Sequence, residues 1–363
     1  MMESEILPNE KHFPARLTVY CIAHFLIDLA STFIIVGYIF LDHNDLSAYM
    51  LFYGIAFCGQ MPLGLFADKF NHNAWIASAG CLLMIIATGL IYIPGDPLFY
   101  TVVILGGLGN ALVHIGGGVD VLNHSKTKCG PLGIFVCPGF IGVFAAVLLS
   151  SHGIYLPIIT SVLLAGVALC ILILQKRTFG DMCSRNVPLS LKISVDCPKA
   201  WAILAIASLF IVVFLRSYVG FILPFDWKSV LKWNVLLILA IGCGKAFGGV
   251  LSDKFGMRRT AIVSLCMVAI LFLFPSIPVV GVLSIFLFNM TMPMTLWALS
   301  RIFNHARGFA FGTLTLSLYL GLCLYIYPLY YPALILSGNW ACSVAAILSL
   351  ILLCIGIKPI QRS

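Results

Sequence analysis

Gly64-Leu65-Phe66-Ala67-Asp68-Lys69-Phe70-Asn71 and Gly249-Val250-Leu251-Ser252-Asp253-Lys254-Phe255-Gly256 are two copies of one phrase, with aspartates 185 residues apart in a chain of 363. Each copy follows one long apolar run and precedes another, so each reads as a short charged turn between two hydrophobic helices. Repetition at half the chain length predicts two similar halves built of membrane-spanning helices. In the first copy Asn71 stands where the second has Gly256, and Asn73-Ala74 where the second has Arg258-Arg259. Asparagine tolerates a positive φ, so the turn is expected to survive the change.

Composition points the same way. Hydrophobic residues make up 61% of the chain, charged residues only 9%, and the mean hydropathy is +1.07, values that do not suit a water-exposed surface. About 20 apolar residues cross a hydrocarbon core, and polar punctuation divides the sequence into twelve runs of that size. They fall near 17–40, 46–66, 74–93, 97–122, 131–150, 154–174, 200–222, 233–252, 260–276, 278–300, 308–331 and 336–357. The gap from Pro275 to Pro278 also admits one broken helix in place of two. The first run has no small-residue cleavage site after it and reads as a retained helix.

Basic residues concentrate in cytoplasmic loops of membrane proteins. With both termini inside, 17 of the 21 Lys and Arg fall on the cytoplasmic side, among them Lys11, Arg16, Lys126, Lys176, Arg177, Arg185 and Arg362, and Lys228 and Lys232 outside. A missed helix would scramble this partition. The net charge of +8 therefore reports topology and attraction to an anionic inner leaflet, and calls for no nucleic-acid partner. The polar stretch 175–199 reads as a cytoplasmic linker between an N-terminal bundle (1–174) and a C-terminal bundle (200–363).

The repeated phrase, Gly-x-(Phe/Leu)-(Ala/Ser)-Asp-Lys in this chain, lies between the second and third helix of each half and resembles the Gly-x-Leu-(Ala/Ser)-Asp-(Lys/Arg)-x-Gly motif of the major facilitator superfamily of secondary transporters. That resemblance implies an all-α membrane protein of 12 transmembrane helices in two pseudo-symmetric six-helix bundles, whose helices one, four, seven and ten line a central cavity. It also implies that Asp68, Lys69, Asp253, Lys254, Arg258 and Arg259 hold a cytoplasmic gate. Gly130-Pro131, Pro138-Gly139 and Gly142 on the fifth helix resemble a glycine and proline pattern of exporters in that superfamily.

A few polar side chains lie inside the apolar runs, where an ionisable group faces a cavity or a partner. His24 and Asp28 sit on the first helix, Asn110 and His114 on the fourth, Arg216 on the seventh and Asn289 on the tenth. The four-residue spacing of His24 and Asp28 puts both on one helical face, within reach of a hydrogen bond. Such a pair can take up and release a proton near neutral pH, or it can anchor helix packing. Asn110 and His114 repeat the spacing, and His114 is either a cavity residue or a packed histidine. His24-x-x-x-Asp28 with a glycine-led His114 is similar to the fosmidomycin-resistance type of facilitator, although that group carries proline and an acidic residue where this chain has Ile115 and Gly116.

Arg216 keeps its charge when buried and needs an anion. Asp28, an anionic group on the solute, or the outer surface reached by snorkelling are the three choices. About 24 Å separate it from the cytoplasmic end of its helix. Lys245 lies about 12 Å up the eighth helix from Asp253, where its head is expected to reach polar ground in a structural or gating role. Asp68 and Asp253 are each expected to cap the helix that follows. Asp120 and His124 read as interfacial residues near the gate. Phe25, Trp297 and Tyr218 are aromatic candidates for the cavity lining, with lipid-facing or core packing as the alternative.

Cysteines number 13 and show no ligand-like spacing, so they read as packing residues. No metal centre or cofactor is expected. The chain has no zincin, nucleophile-elbow or phosphate-loop motif, which argues against an enzyme and against ATP-driven transport. The expected function is secondary active transport of a small organic solute by alternating access, with an anionic solute among the choices. Proton coupling through Asp28 and His24 is expected, with Arg216, His114, Asn110 and Asn289 contacting the solute. The helix-five pattern favours export, and the place of work is the plasma (inner) membrane, as a monomer. The alternative is a divalent metal-ion transporter using His24, Asp28 and His114, with Asp120 as a further acceptable ligand.

Overall fold

In the computed structural model, residues 13–94, 97–125, 127–179, 189–326 and 338–361 are described. Lys11, Lys126, Arg185 and Arg362, the side chains of Lys176 and Arg177, and the expected helical residues 327–331 and 336–337 lie outside this set. Twelve helices follow one another: α1 (Phe13–Asp42), α2 (Leu46–Phe70), α3 (Asn73–Leu90), α4 (Phe99–His124), α5 (Gly130–Ser151), α6 (Pro157–Phe179), α7 (Lys199–Ile222), α8 (Leu231–Phe255), α9 (Met257–Leu271), α10 (Pro278–Ile302), α11 (Arg307–Ile326) and α12 (Asn339–Ile357). Eleven are long and apolar enough to cross a membrane. α9 spans 15 residues and ends before Pro275 and Pro278, so the ambiguous gap separates two helices.

Three helices depart from a uniform spiral. Ile34–Asp42 at the end of α1 and Gly54–Cys58 within α2 are π-helical, and α10 breaks at Met290 beside Asn289. Short side chains govern the closest crossings. α3 packs on α4, where a Cβ on Gly80 or Gly109 would strike the facing backbone. The repeated turns form as expected, with Asn71 closing α2 in the left-handed region at φ 49° and Gly256 closing α8 at φ 88°.

α1 packs on α5 and α6, and α3 on α4 and α6; in the second half α7 packs on α11 and α12, α8 on α10, and α9 on α12. Two further contacts join the halves, α2 against α11 and α5 against α8. They are equivalent under the internal repeat, and both are tight at one end. A Cβ on Gly64 would fall on the Gly308 carbonyl, and one on Gly249 on the Cys129 carbonyl and Gly130. The protein is a multi-pass integral membrane protein.

Candidate functional site

Asp68 and Asp253 do not cap the helices that follow them. Asp68 accepts hydrogen bonds from the backbone N–H groups of Gly308 (2.8 Å) and Phe309 (2.9 Å), at the start of α11 in the opposite half. Asp253 accepts from Cys129 (2.7 Å) and Gly130 (2.8 Å), at the start of α5. Each carboxylate therefore satisfies the orphan donors and positive end of a helix across the interface. Residues Gly64 and Gly249, one turn earlier, let the backbones approach closely enough for this. Lys69 and Lys254 lie over the rings of Phe70 and Phe255, at 5.7 and 5.2 Å. Among the described residues neither they nor Arg258 and Arg259 form an ion pair with the two aspartates.

Between the halves lies a cavity of about 490 Å³, lined by α1, α2, α4, α5, α7, α8, α10 and α11. Its lining runs away from the two aspartate contacts toward the other end of the bundle, reaching Tyr49, Phe225 and Lys228. His24, Asp28, Asn110, His114, Arg216 and Asn289 all line it.

His24, Asp28 and His114 form one cluster. The Nδ1 of His24 donates to the Phe135 carbonyl on α5 (2.8 Å), and that of His114 to the Asn110 carbonyl (2.9 Å). A carbonyl only accepts, so both rings carry hydrogen on Nδ1 and turn Nε2 inward. The two Nε2 atoms face one carboxylate, His24 at 3.4 Å from Oδ2 and His114 at 3.6 Å from Oδ1 of Asp28. Asn110 donates through Nδ2 to Asp28 Oδ1 (3.0 Å) and to Ser31 (2.9 Å). With both imidazoles neutral, two nitrogen lone pairs would point at a carboxylate. One added proton converts a repulsive contact into a charge-assisted hydrogen bond. The arrangement has room for one added proton between the rings and the carboxylate, beside the cavity. The same three ligand atoms lie within 4.8 Å of one another, a spacing that a divalent ion could also use.

The helix-five glycines make this cluster possible. A Cβ on Gly139 would fall on His24 Nε2 and Asp28 Oδ2, and one on Gly142 on the Phe25 carbonyl. Pro138 leaves the Ile134 carbonyl without its helical donor, and the Cys21 thiol donates to it at 3.5 Å. Gly139→Ala is expected to force the His24–Asp28 pair apart and to lower solute transport by about tenfold or more, while overpacking costs roughly 1–3 kcal/mol of stability. Vesicle transport and melting temperature check this, and wild-type transport by the variant would contradict it.

Arg216 is buried, at 7% exposure, and its Nη1 has no hydrogen-bond partner. Neither the pair with Asp28 nor an outward-snorkelling guanidinium is formed. Lys245 lines the same cavity, its Nζ over the Phe140 ring at 5.4 Å, and does not reach the end of its helix as the axial rise suggested. A Cβ on Gly133 would strike the Lys245 carbonyl, so α5 fixes that stretch of α8 and turns the lysine inward. Asn289 donates to the Ile285 carbonyl at 2.9 Å.

Phe25, Trp297 and Tyr218 take the packing reading: Tyr218 is buried, Phe25 and Trp297 pack against the core, and the aromatic residues lining the cavity include Tyr53, Phe57, Phe140, Phe221 and Phe288. The interfacial reading of Asp120 and His124 needs correction. Asp120 is buried at 6% exposure and pairs with Arg16 at 2.5 Å, while His124 Nδ1 donates to the Asp120 carbonyl at 2.8 Å. This cluster ties the start of α1 to the end of α4. Gln60 escaped the sequence reading. Its amide donates to the Ala56 carbonyl at 2.7 Å and leaves Oε1 without a partner. A polar side chain inside the second apolar run was the available signal.

No protein-family model and no curated protein sequence matches the chain. Solved structures do share its fold. A variant of the E. coli fucose:proton symporter FucP aligns with TM-score 0.65 and 12% identity over 97% of this chain and 100% of that one. FucP described as a major facilitator superfamily transporter in the outward conformation aligns at 0.67 and 12%, over 97% and 100%. The human organic anion transporter MFSD10 (TETRAN) aligns at 0.66 and 13%, over 96% and 99%. The chain therefore has the major facilitator fold.

Proposed function

We propose that this protein is a secondary transporter that moves a small organic anion by alternating access, coupled to protons. One observation carries the reading: Arg216 and Lys245 enter the cavity without an ion pair among the described residues, and the same cavity holds the His24–Asp28–His114 cluster, whose geometry suits an added proton. A buried cation without a counter-charge is costly, so an anionic solute supplies what the site lacks. Asn110 orients Asp28, and Asn289, one of whose two amide N–H groups is held by the Ile285 carbonyl, offers the other to the solute. The two aspartate-capped crossings act as gates that separate when the cavity turns to the other side. The charge bias assigns these crossings to the cytoplasm, which makes the present arrangement the outward-facing one. Both termini are then cytoplasmic, in a plasma (inner) membrane. The helix-five pattern and the likeness to the fosmidomycin-resistance type favour export, by a single chain acting alone.

The convergence of His24, Asp28 and His114 favours a second reading, transport of a divalent metal ion. The unpaired Arg216 and Lys245 oppose it, because they repel a cation in the same cavity. A thermal-stability panel of organic anions, organic cations, neutral solutes, Zn²⁺ and Mn²⁺ on the purified protein separates the two. The anion reading expects stabilisation by anions that disappears in Arg216→Gln. Stabilisation by a metal alone, lost in His24→Ala, would overturn it in favour of the second.

A further inference from the structure

We infer that the transported solute is a dianion, its two negative charges matched separately by Arg216 on α7 and Lys245 on α8. This inference rests on the anion reading above and specifies its substrate class.

The charges lining the cavity decide the point. Among the described residues that line it, Asp28 is the sole acidic one, against Arg216, Lys228 and Lys245. The Asp28 carboxylate is already engaged by Asn110 and faced by both histidines, so it is spent within its own cluster. Lys228 sits at the rim, where its Nζ donates to the Leu223 carbonyl at 3.4 Å and lies over Phe225 at 5.1 Å. The other two, Arg216 and Lys245, form no ion pair among the described residues. A monoanion would neutralise one and leave the other buried and unmatched; a dianion neutralises both.

The two heads also differ in what they bind. The guanidinium of Arg216 presents a planar fork suited to two oxygens of one carboxylate or phosphate group, while the Lys245 ammonium acts as a point charge. Apolar side chains such as Val143, Leu237, Ile241 and Met292 line the same space. They suit a short carbon skeleton carrying the anionic groups. A dicarboxylate and a phosphate monoester share this chemistry.

Matched pairs test the inference by titration of the detergent-purified protein at neutral pH: succinate against butyrate, glutarate against valerate, and glycerol 3-phosphate against its methyl phosphodiester, a monoanion. At least one dianion should bind about tenfold or more tighter than its partner. Lys245→Gln should bring that ratio near unity, and Lys245→Arg should preserve it, which separates charge loss from misfolding. Glycerol 3-phosphate binding without the dicarboxylates would identify the phosphate class, and the converse the carboxylates. Equal binding of a monoanion and its matched dianion, or a ratio unchanged in Lys245→Gln, would overturn the dianion while leaving an anion transporter. Failure of every anion in the panel to bind would overturn both.

Discussion

Asp28→Asn is expected to abolish gradient-driven transport while leaving solute exchange. The substitution keeps the shape of the side chain, and its amide nitrogen, standing where Oδ2 now lies, can donate to the inward Nε2 of His24, now 3.4 Å from that oxygen, while the amide oxygen still accepts from Asn110. The His24 contact is then satisfied without an added proton, and the side chain at position 28 carries no charge to hold one. Arg216 and Lys245 are untouched, so the solute still binds. In reconstituted vesicles, pH-driven transport should fall by about 100-fold or more, the scale at which a positioned proton-transfer group contributes to a rate. Counterflow of labelled solute at equal pH should remain within about threefold of the native rate. Undiminished pH-driven transport would show that the cluster anchors helices and carries no coupling proton.

The second large effect concerns the paired gates. Asp68 and Asp253 each accept two backbone N–H groups from a helix start in the other half. Asparagine offers one acceptor oxygen in place of two and removes the charge that the helix end favours. Each substitution should cost about 1–2 kcal/mol. In the double variant Asp68→Asn/Asp253→Asn the two sites are far apart and their costs should add. The balance between closed and open crossings should then shift by roughly 30-fold or more. Hydrogen exchange at the amides of Cys129, Gly130, Gly308 and Phe309 reads this directly. If the halves rock as rigid bodies, either single variant raises exchange at both crossings. A rise confined to the altered crossing would mean that the two open independently, and unchanged exchange would remove the gating role.

The sequence carried the architecture because a repeated turn and apolar runs of bilayer length are local signals. It also picked out His24, Asp28, Asn110 and His114, since a four-residue spacing on one helix is readable without neighbours. The convergence of the two pairs was not readable. Rotation of α1 against α4 and α5 is set by contacts such as Gly139 beneath the His24–Asp28 pair. The aspartate caps show the same limit. Sequence proximity pointed Asp68 to the next helix, whereas its partners, Gly308 and Phe309, lie 240 and 241 residues away. For Lys245 the helical rise gave its depth, but only the crossing of α5 and α8 decides which way it faces.

The central claim is that an anion and a proton are moved by one cavity. Vesicles containing the purified protein and a trapped pH-sensitive dye, given a gradient of an anion that the binding panel has identified, test it most directly. The account predicts a change of internal pH that accompanies anion movement, disappears in Arg216→Gln because the anion no longer binds, and disappears in Asp28→Asn while labelled anion still exchanges. Anion movement through the native protein with no change of internal pH, in vesicles shown to hold a proton gradient, would contradict it.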